Sequence, residues 1–140
     1  MPRIKLELPA VFPFSTEIQV RVTDVNYGGH LGNDSLLSFL QEARFRFFRS
    51  LGYSELDIEG IGTIMTDAAI VYKAEVFQGE VLRIDVAASD LQQSTCDLVY
   101  RVVNALSGTE VAHAKTGIAF FDYGRKKIVP MPEEFRAKVG

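Results

Sequence analysis

The sequence predicts an α+β protein in which a curved antiparallel sheet is wrapped around one long central helix. Residues 36–51 form the one long segment with helical periodicity, and from Thr63 onward apolar residues recur at every second position. Short turns separate the later segments, and short turns make neighbouring strands antiparallel. A helix that is apolar over half of its surface needs a broad apolar partner, which we expect the strands to supply.

The remaining elements follow in chain order. Residues 1–13 contain three of the five prolines and are expected to form an extended lead-in. A first strand is predicted over 14–22, and a short helical turn over 54–58, where Ser54 can act as a cap. Pro132 fits the first position of a closing helix. The four later strands and this helix are predicted at 63–73, 80–89, 95–104, 110–122 and 133–138.

The long helix has clear start and stop signals. Asn33, Asp34 and Ser35 offer side chains that can cap its N-terminus, and Gly52 is a typical stop signal. Its apolar half contains eight side chains: Leu36, Leu37, Phe39, Leu40, Ala43, Phe47, Phe48 and Leu51.

Two charged positions on this helix lead to specific expectations. Arg44 falls inside the apolar half, and an unpaired buried charge costs several kcal/mol, so we expect it to pair with a carboxylate or to reach the surface. Glu42 lies on the polar half, four residues before Arg46, and the two are expected to form an exposed ion pair.

The composition indicates a single domain over residues 1–140, since 47% of the residues are hydrophobic. A net charge of −3 argues against a nucleic-acid partner. No apolar run could span a bilayer and no signal peptide opens the chain, so a cytoplasmic protein without membrane insertion is expected. The single cysteine, Cys96, fits a reducing compartment, and two histidines and one cysteine without ligand spacing make a metal site unexpected.

The predicted sheet also bears on assembly. One layer of this kind leaves its second face partly apolar and its edge strand open. Pairing two copies would cover both features. We therefore expect a homodimer or homotetramer.

The loop before the helix resembles that of a known enzyme family. Residues 24–33 read DVNYGGHLGN, and residues 41–44 read QEAR. The segment resembles the hydroxybenzoyl-CoA thioesterase-like acyl-CoA thioesterases, whose loop reads roughly Asp-x-Asp-x-x-Gly-His-x-x-Asn before a helix with Glu-x-Ala-Arg. The resemblance implies the hot-dog fold and hydrolysis of an acyl-CoA or acyl-carrier-protein thioester, with no cofactor beyond the substrate's own coenzyme A.

The same comparison leaves an alternative open. The family's loop acid corresponds to Asn26, and the helix acid of related hot-dog thioesterases, eight residues past Asn33, corresponds to Gln41. An amide can orient water but cannot take up a proton at neutral pH. The alternative is therefore a non-hydrolytic protein that binds acyl thioesters and lacks the catalytic carboxylate.

A second resemblance supplies catalytic roles. Acyl-carrier-protein thioesterases carry Asp-x-Asn-x-His in this loop, and Asp24, Asn26 and His30 have the same order with two extra residues before the histidine. The resemblance implies that Asn26 positions substrate or water, that His30 is the base, and that Asp24 orients or supports the site. The structural alternatives are an Asx turn at Asp24 and a left-handed turn residue at Asn26.

The substrate-binding candidates lie around these three residues. Gly29 lets the backbone come close to a ligand, and by resemblance the N–H near Asn33 polarises the thioester carbonyl. Asp67 is a charge among apolar strand residues and is expected either to face a neighbouring subunit's site or to lie at an edge. Tyr27 and Gln41 complete the predicted substrate-binding set.

Overall fold

The structure is a computed structural model, and it describes residues 4–140, so part of the predicted lead-in lies outside the described residues. In chain order the strands are β1 (Phe14–Gln19), β2 (Gly62–Tyr72), β3 (Val81–Ser89), β4 (Thr95–Asn104), β5 (Glu110–Asp122) and β6 (Lys127–Ile128). The helices are α1 (Asn33–Ser50) and α2 (Glu133–Val139), and a 3₁₀ turn spans Val22–Asp24.

The strands form one antiparallel sheet in the order β1-β3-β4-β5-β2, with β6 paired to β5. The predicted antiparallel sheet with one long helix is therefore present. The predicted bounds of β4 and β5 are those observed, and those of β2 and β3 differ by one residue at the ends. Among residues 4–140, no helix combines the length and the hydropathy that crossing a bilayer requires.

The sheet and α1 share one hydrophobic core. Leu98, Tyr100 and Val102 of β4 are fully buried in this core, and Phe135 of α2 closes it with its ring centroid 5.2 Å from that of Phe120. The predicted apolar half of α1 is mostly buried, but Leu37 is 43% exposed. Leu37 lies eight residues before Phe45, which is also exposed, so the two lie on a side of the helix that the sheet does not cover.

Three predicted details are corrected by backbone hydrogen bonds. The first strand ends at Gln19, because the chain turns into the 3₁₀ segment. The helix starts at Asn33 with Gly32 as its N-cap and without a side-chain cap, so the predicted capping by Asn33, Asp34 or Ser35 is wrong. The helix ends at Ser50, and Gly52 follows it as predicted.

The third correction concerns the helical turn predicted over 54–58, which does not form. Ser54 and Asp57 instead pair across a tight turn. The carbonyl of Glu55 accepts hydrogen bonds from both the N–H and the hydroxyl of Thr63, each at 2.9 Å. These hydrogen bonds hold the segment against the start of β2, so it does not form the predicted helical turn.

Arg44 finds the carboxylate that the sequence predicts. Its Nε donates to Oε1 of Glu55 at 2.6 Å, and its Nη1 donates to the Tyr100 hydroxyl at 3.3 Å. That hydroxyl also shares a 2.6 Å hydrogen bond with Thr116. Burial raises the pKa of the Tyr100 phenol, so it stays a neutral member of the network.

The two edge strands of the sheet, β1 and β2, differ in how far other parts of the chain cover them. Arg46, which also pairs with Glu42 as predicted, donates from Nη1 to the Thr16 hydroxyl and the Glu17 carbonyl of β1. The helix thus covers part of the β1 edge. The middle of β2, from Met65 to Ala68, is exposed.

We expect the hydrogen-bond network around Arg44 to contribute more to the free energy of unfolding than the exposed ion pair between Glu42 and Arg46 on the same helix. Glu55→Gln leaves a buried guanidinium without a charged partner, which should cost about 1–3 kcal/mol of unfolding free energy. Glu42→Gln, the matched control, should change it by about 0.5 kcal/mol or less. Urea denaturation of both variants measures the difference, and equal losses would contradict the structural role given to Glu55.

Candidate active site

The polar loop between β1 and α1 is held in shape by its own backbone. The N–H of Asn26 donates to the carbonyl of His30 at 2.8 Å, and the N–H of Gly29 donates to the carbonyl of Asn26 at 3.0 Å. The side-chain oxygen of Asn26 accepts from the N–H groups of Gly28 and His30 at 3.0 and 3.3 Å. Asn26 therefore forms the Asx turn of this loop, and it does not have the left-handed conformation considered for it.

Asp24 fixes the entry to the loop. Its carboxylate accepts hydrogen bonds from the backbone N–H, Nε and Nη2 of Arg21 at 2.8 to 3.1 Å. These bonds hold the pKa of the Asp24 carboxyl below its ordinary value. The Asp24 carbonyl accepts the N–H of Gly32 at 2.9 Å, which places the start of α1.

A cleft of about 380 Å³ opens beside this loop. The loop and the first turn of α1 form one side, and the segment that follows β2 forms the other. Of its lining residues, Leu36, Val76 and Val111 are buried, whereas Lys73 and Glu75 are exposed. The lining residues are Asn26, His30, Leu31, Gly32, Asn33, Leu36, Tyr72, Lys73, Ala74, Glu75, Val76 and Val111.

His30 is packed tightly at the edge of this cleft. Its ring lies 4.9 Å from the ring of Phe77, centroid to centroid. A Cβ on Gly28 would come within 2.7 Å of Cδ2 of the imidazole, so the glycine lets the backbone pass against the ring. Nδ1 is buried and lies 3.0 Å from Oε2 of Glu75, whereas Nε2 is not buried and has no hydrogen-bond partner among the described residues.

The N-terminus of α1 reaches the same cleft. The N–H groups of Asn33 and Asp34 donate to no backbone carbonyl within residues 4–140. Such groups, with the helix dipole behind them, favour an oxygen that carries negative charge. The cleft thus combines an imidazole nitrogen with backbone donors, and these groups can serve as a base and as oxyanion donors in acyl transfer.

A family model described as the thioesterase-like superfamily matches residues 20–139. The chain belongs to this superfamily. The sequence is also 24% identical over 128 residues to the acyl-CoA thioesterase YbgC of Haemophilus influenzae, with 89% of this chain and 92% of the relative covered.

Solved structures show the same fold. A 1,4-dihydroxy-2-naphthoyl-CoA thioesterase from Synechocystis superposes with a TM-score of 0.82 at 20% identity, over 90% of this chain and 94% of its own. A thioesterase from Thermus thermophilus, complexed with coenzyme A and Zn, superposes with a TM-score of 0.78 at 21% identity, over 92% and 98% of the two chains. The predictions of a hot-dog fold and of a thioesterase are confirmed.

Within this thioesterase, the cleft contains only some of the predicted site residues. Asn26, His30 and Asn33 line it, and Gly29 lies at the tip of the adjoining loop turn with a φ of +79°. The Asp24 carboxylate is committed to Arg21 and does not line the cleft, so its contribution is to support the loop.

Three predicted substrate-binding residues lie elsewhere on the surface of this chain. Tyr27 is fully exposed, and Gln41 lines a separate groove between α1 and β1. Asp67 lies on the β2 edge, where its carboxylate accepts from Lys115 and from the N–H of Gly117. The single chain therefore does not bring these three residues to the cleft.

Sequence reasoning assigned no role to Glu75 and Lys73, although both line the cleft. They lie more than forty residues from the loop in sequence, and no spacing rule joins them to it.

Among the described residues, no group of three or more His, Cys, Asp or Glu side chains is arranged to bind a metal ion.

The bond between Asp24 and Arg21 predicts a pH-dependent contribution to stability. A carboxyl whose pKa is lowered on folding stabilises the fold above its unfolded pKa, and this is lost as the pH falls through the folded pKa. Asp24→Asn should therefore destabilise the protein at pH 7, and the difference from wild type should shrink below about pH 4.

Urea denaturation at neutral and acid pH measures this effect. In an Arg21→Gln background the same substitution should cost less, because the guanidinium partner of the carboxylate is gone and only the backbone N–H of residue 21 remains. A difference that is constant with pH, or equal in both backgrounds, would show that the ion pair does not support the loop.

Proposed function

We propose that this thioesterase hydrolyses acyl-CoA thioesters to a free acid and coenzyme A, with His30 as the general base. The observation that supports it most is the open Nε2 of His30 beside the unpaired N–H groups at the start of α1, in one cleft. The curated relative named an acyl-CoA thioesterase and the structural relative complexed with coenzyme A support the choice of thiol.

The proposed reaction is a direct hydrolysis. Nε2 of His30 takes a proton from water as the water oxygen bonds to the carbonyl carbon. The negative charge that forms on the carbonyl oxygen is stabilised by the backbone N–H groups at Asn33. The C–S bond then breaks, and the proton on His30 passes to the leaving sulfur, so that the products are a carboxylic acid and a thiol.

In this proposal the two amides do not prevent catalysis. Asn26 holds His30 and Gly28 in place through its side-chain oxygen, and its NH₂ group remains available to orient water at the cleft. In this proposal the imidazole of His30 takes over the role that a carboxylate has in other family members. The comparisons support the enzyme and lend no support to the non-hydrolytic alternative.

Assembly into a homodimer, or a tetramer built from such dimers, is part of the proposal. The β2 edge offers free backbone groups, whereas part of the β1 edge is covered by Arg46. Leu37 and Phe45 add an exposed apolar stripe on α1. Pairing of two β2 edges is the arrangement that would cover the open edge.

The predicted cytoplasmic location stays a prediction.

The base assignment predicts a selective loss of activity. His30→Ala should lower the turnover of acyl-CoA by about 10²-fold or more, the range typical of a general base. His113→Ala changes the other histidine of the chain, which pairs with Glu110 on β5, and should retain activity.

Release of free thiol across short, long and aromatic acyl-CoAs measures turnover. Wild-type rates in His30→Ala would refute the base assignment. A wild-type protein that binds these thioesters and releases no thiol would refute the proposed hydrolysis.

The assembly predicts a second selective effect. Lysine on an open edge is a common device against edge pairing, so Met65→Lys should weaken the dimer by about tenfold or more. Leu106→Lys replaces an equally apolar side chain in an exposed turn and should leave assembly unchanged. Sedimentation at micromolar concentration separates the outcomes, and a monomeric wild type would contradict the proposed dimer.

A further inference from the structure

The contacts of His30 leave one of its nitrogens inside the protein and the other at the cleft. Nδ1 is buried, and the acceptor beside it is Oε2 of Glu75 at 3.0 Å. The angle of this contact falls short of hydrogen-bond geometry, but the Glu75 side chain is 69% exposed and can rotate to align it. The ring itself is fixed between Phe77 and the backbone of Gly28.

The backbone brings Glu75 to this position. His30 and Phe77 form an antiparallel bridge, and the N–H of Leu31 donates to the carbonyl of Val76 at 2.7 Å. In such a pairing, residues two apart on one strand both neighbour the same side chain of the other. Phe77 therefore contacts the face of the imidazole while Glu75 reaches its Nδ1.

From this geometry we infer that Glu75 is the positioning residue for His30: its carboxylate holds the Nδ1–H tautomer and leaves the lone pair of Nε2 directed to the cleft. The inference deepens the proposed hydrolysis and rests on it for its catalytic consequence. Asp24 is not available for this role, because its carboxylate is bonded to Arg21.

The chemistry of a histidine base gives this contact its role. A neutral imidazole carries its proton on one nitrogen only, so a base at Nε2 requires the proton at Nδ1. When Nε2 takes a proton from water, the ring becomes a cation, and a carboxylate at Nδ1 stabilises that cation. In this arrangement Glu75 takes no proton from the reacting water, and its effect on the reaction passes through His30.

The tautomer can be measured without any substrate. The chain contains two histidines, so ¹⁵N-labelled histidine in this protein gives two assignable rings, measured at about pH 8, above the reference pKa of a free imidazole. We expect His30 to be mainly the Nδ1–H form in the wild type and to move toward the Nε2–H form in Glu75→Ala. Glu110→Ala, which removes the carboxylate 3.0 Å from His113, is the matched control and should affect His113 alone.

The kinetic consequence is measured on the same variants. Glu75→Ala should lower kcat for acyl-CoA hydrolysis by about tenfold, a fraction of the general-base contribution, while KM changes by less than about twofold. Glu75→Gln keeps an acceptor oxygen and removes the charge, so it should retain the Nδ1–H tautomer and recover part of kcat. Glu110→Ala should keep the wild-type kcat.

The outcomes separate this inference from the proposed function. An Nε2–H tautomer at His30 in the wild type, or an unchanged tautomer and kcat in Glu75→Ala, would overturn the role of Glu75. A wild-type protein without thioester cleavage would overturn the proposed function, and the tautomer measurement would still decide whether Glu75 positions His30.

Discussion

Burial of the apolar half of α1 in the sheet is the constraint on which the rest of the molecule depends. Leu36, Leu40 and Phe48 are almost fully buried, so the helix has one available orientation relative to the strands. The 18-residue helix starts at Asn33, directly after the polar loop, and its N-terminal groups therefore reach the surface beside residues 72–76. The cleft exists because the core fixes where the helix begins, and the one buried charge on that helix, Arg44, is neutralised by Glu55 instead of disturbing the core.

The loop before α1 supplies the side chains of the candidate site at this fixed helix start. The side-chain oxygens of Asp24 and Asn26 accept hydrogen bonds from within the protein. Those of Asp24 accept from Arg21, and that of Asn26 accepts from N–H groups of the turn. The residue that we propose as the base is His30, whose buried nitrogen lies beside Glu75 and whose other nitrogen is open. An amide at the position of the family's loop acid is thus compatible with a thioesterase that relies on a histidine.

Much of the fold could be predicted from the sequence, because periodicity reports burial directly. The strands at 95–104 and 110–122 carry mostly apolar residues at every second position, and their predicted bounds are those observed, whereas the helix differs from its prediction at its first turn. Its start is set by the N–H of Gly32 bonding to the Asp24 carbonyl, a backbone contact that side-chain preferences do not encode. The helical turn predicted over 54–58 does not form, because Thr63, eight residues along the chain, donates hydrogen bonds to the backbone carbonyl of Glu55.

Less of the candidate site than of the fold could be predicted from the sequence. The loop resemblance identified His30, Asn26 and Asn33 as neighbours, and the structure places all three at the cleft. Glu75 was missed because its proximity to His30 depends on the pairing of segments that are far apart in sequence. Tyr27, Gln41 and Asp67 lie on surfaces that a single chain leaves open, so their predicted contact with substrate depends on assembly.

The most direct test of the proposed site is a crystal structure with an acyl-CoA analogue in which a thioether-linked ketone replaces the thioester and resists hydrolysis. The proposal predicts that its carbonyl oxygen lies within hydrogen-bond distance of the Asn33 N–H, with the carbonyl carbon facing Nε2 of His30. A carbonyl bound instead in the groove beside Gln41, with His30 out of reach, would contradict it.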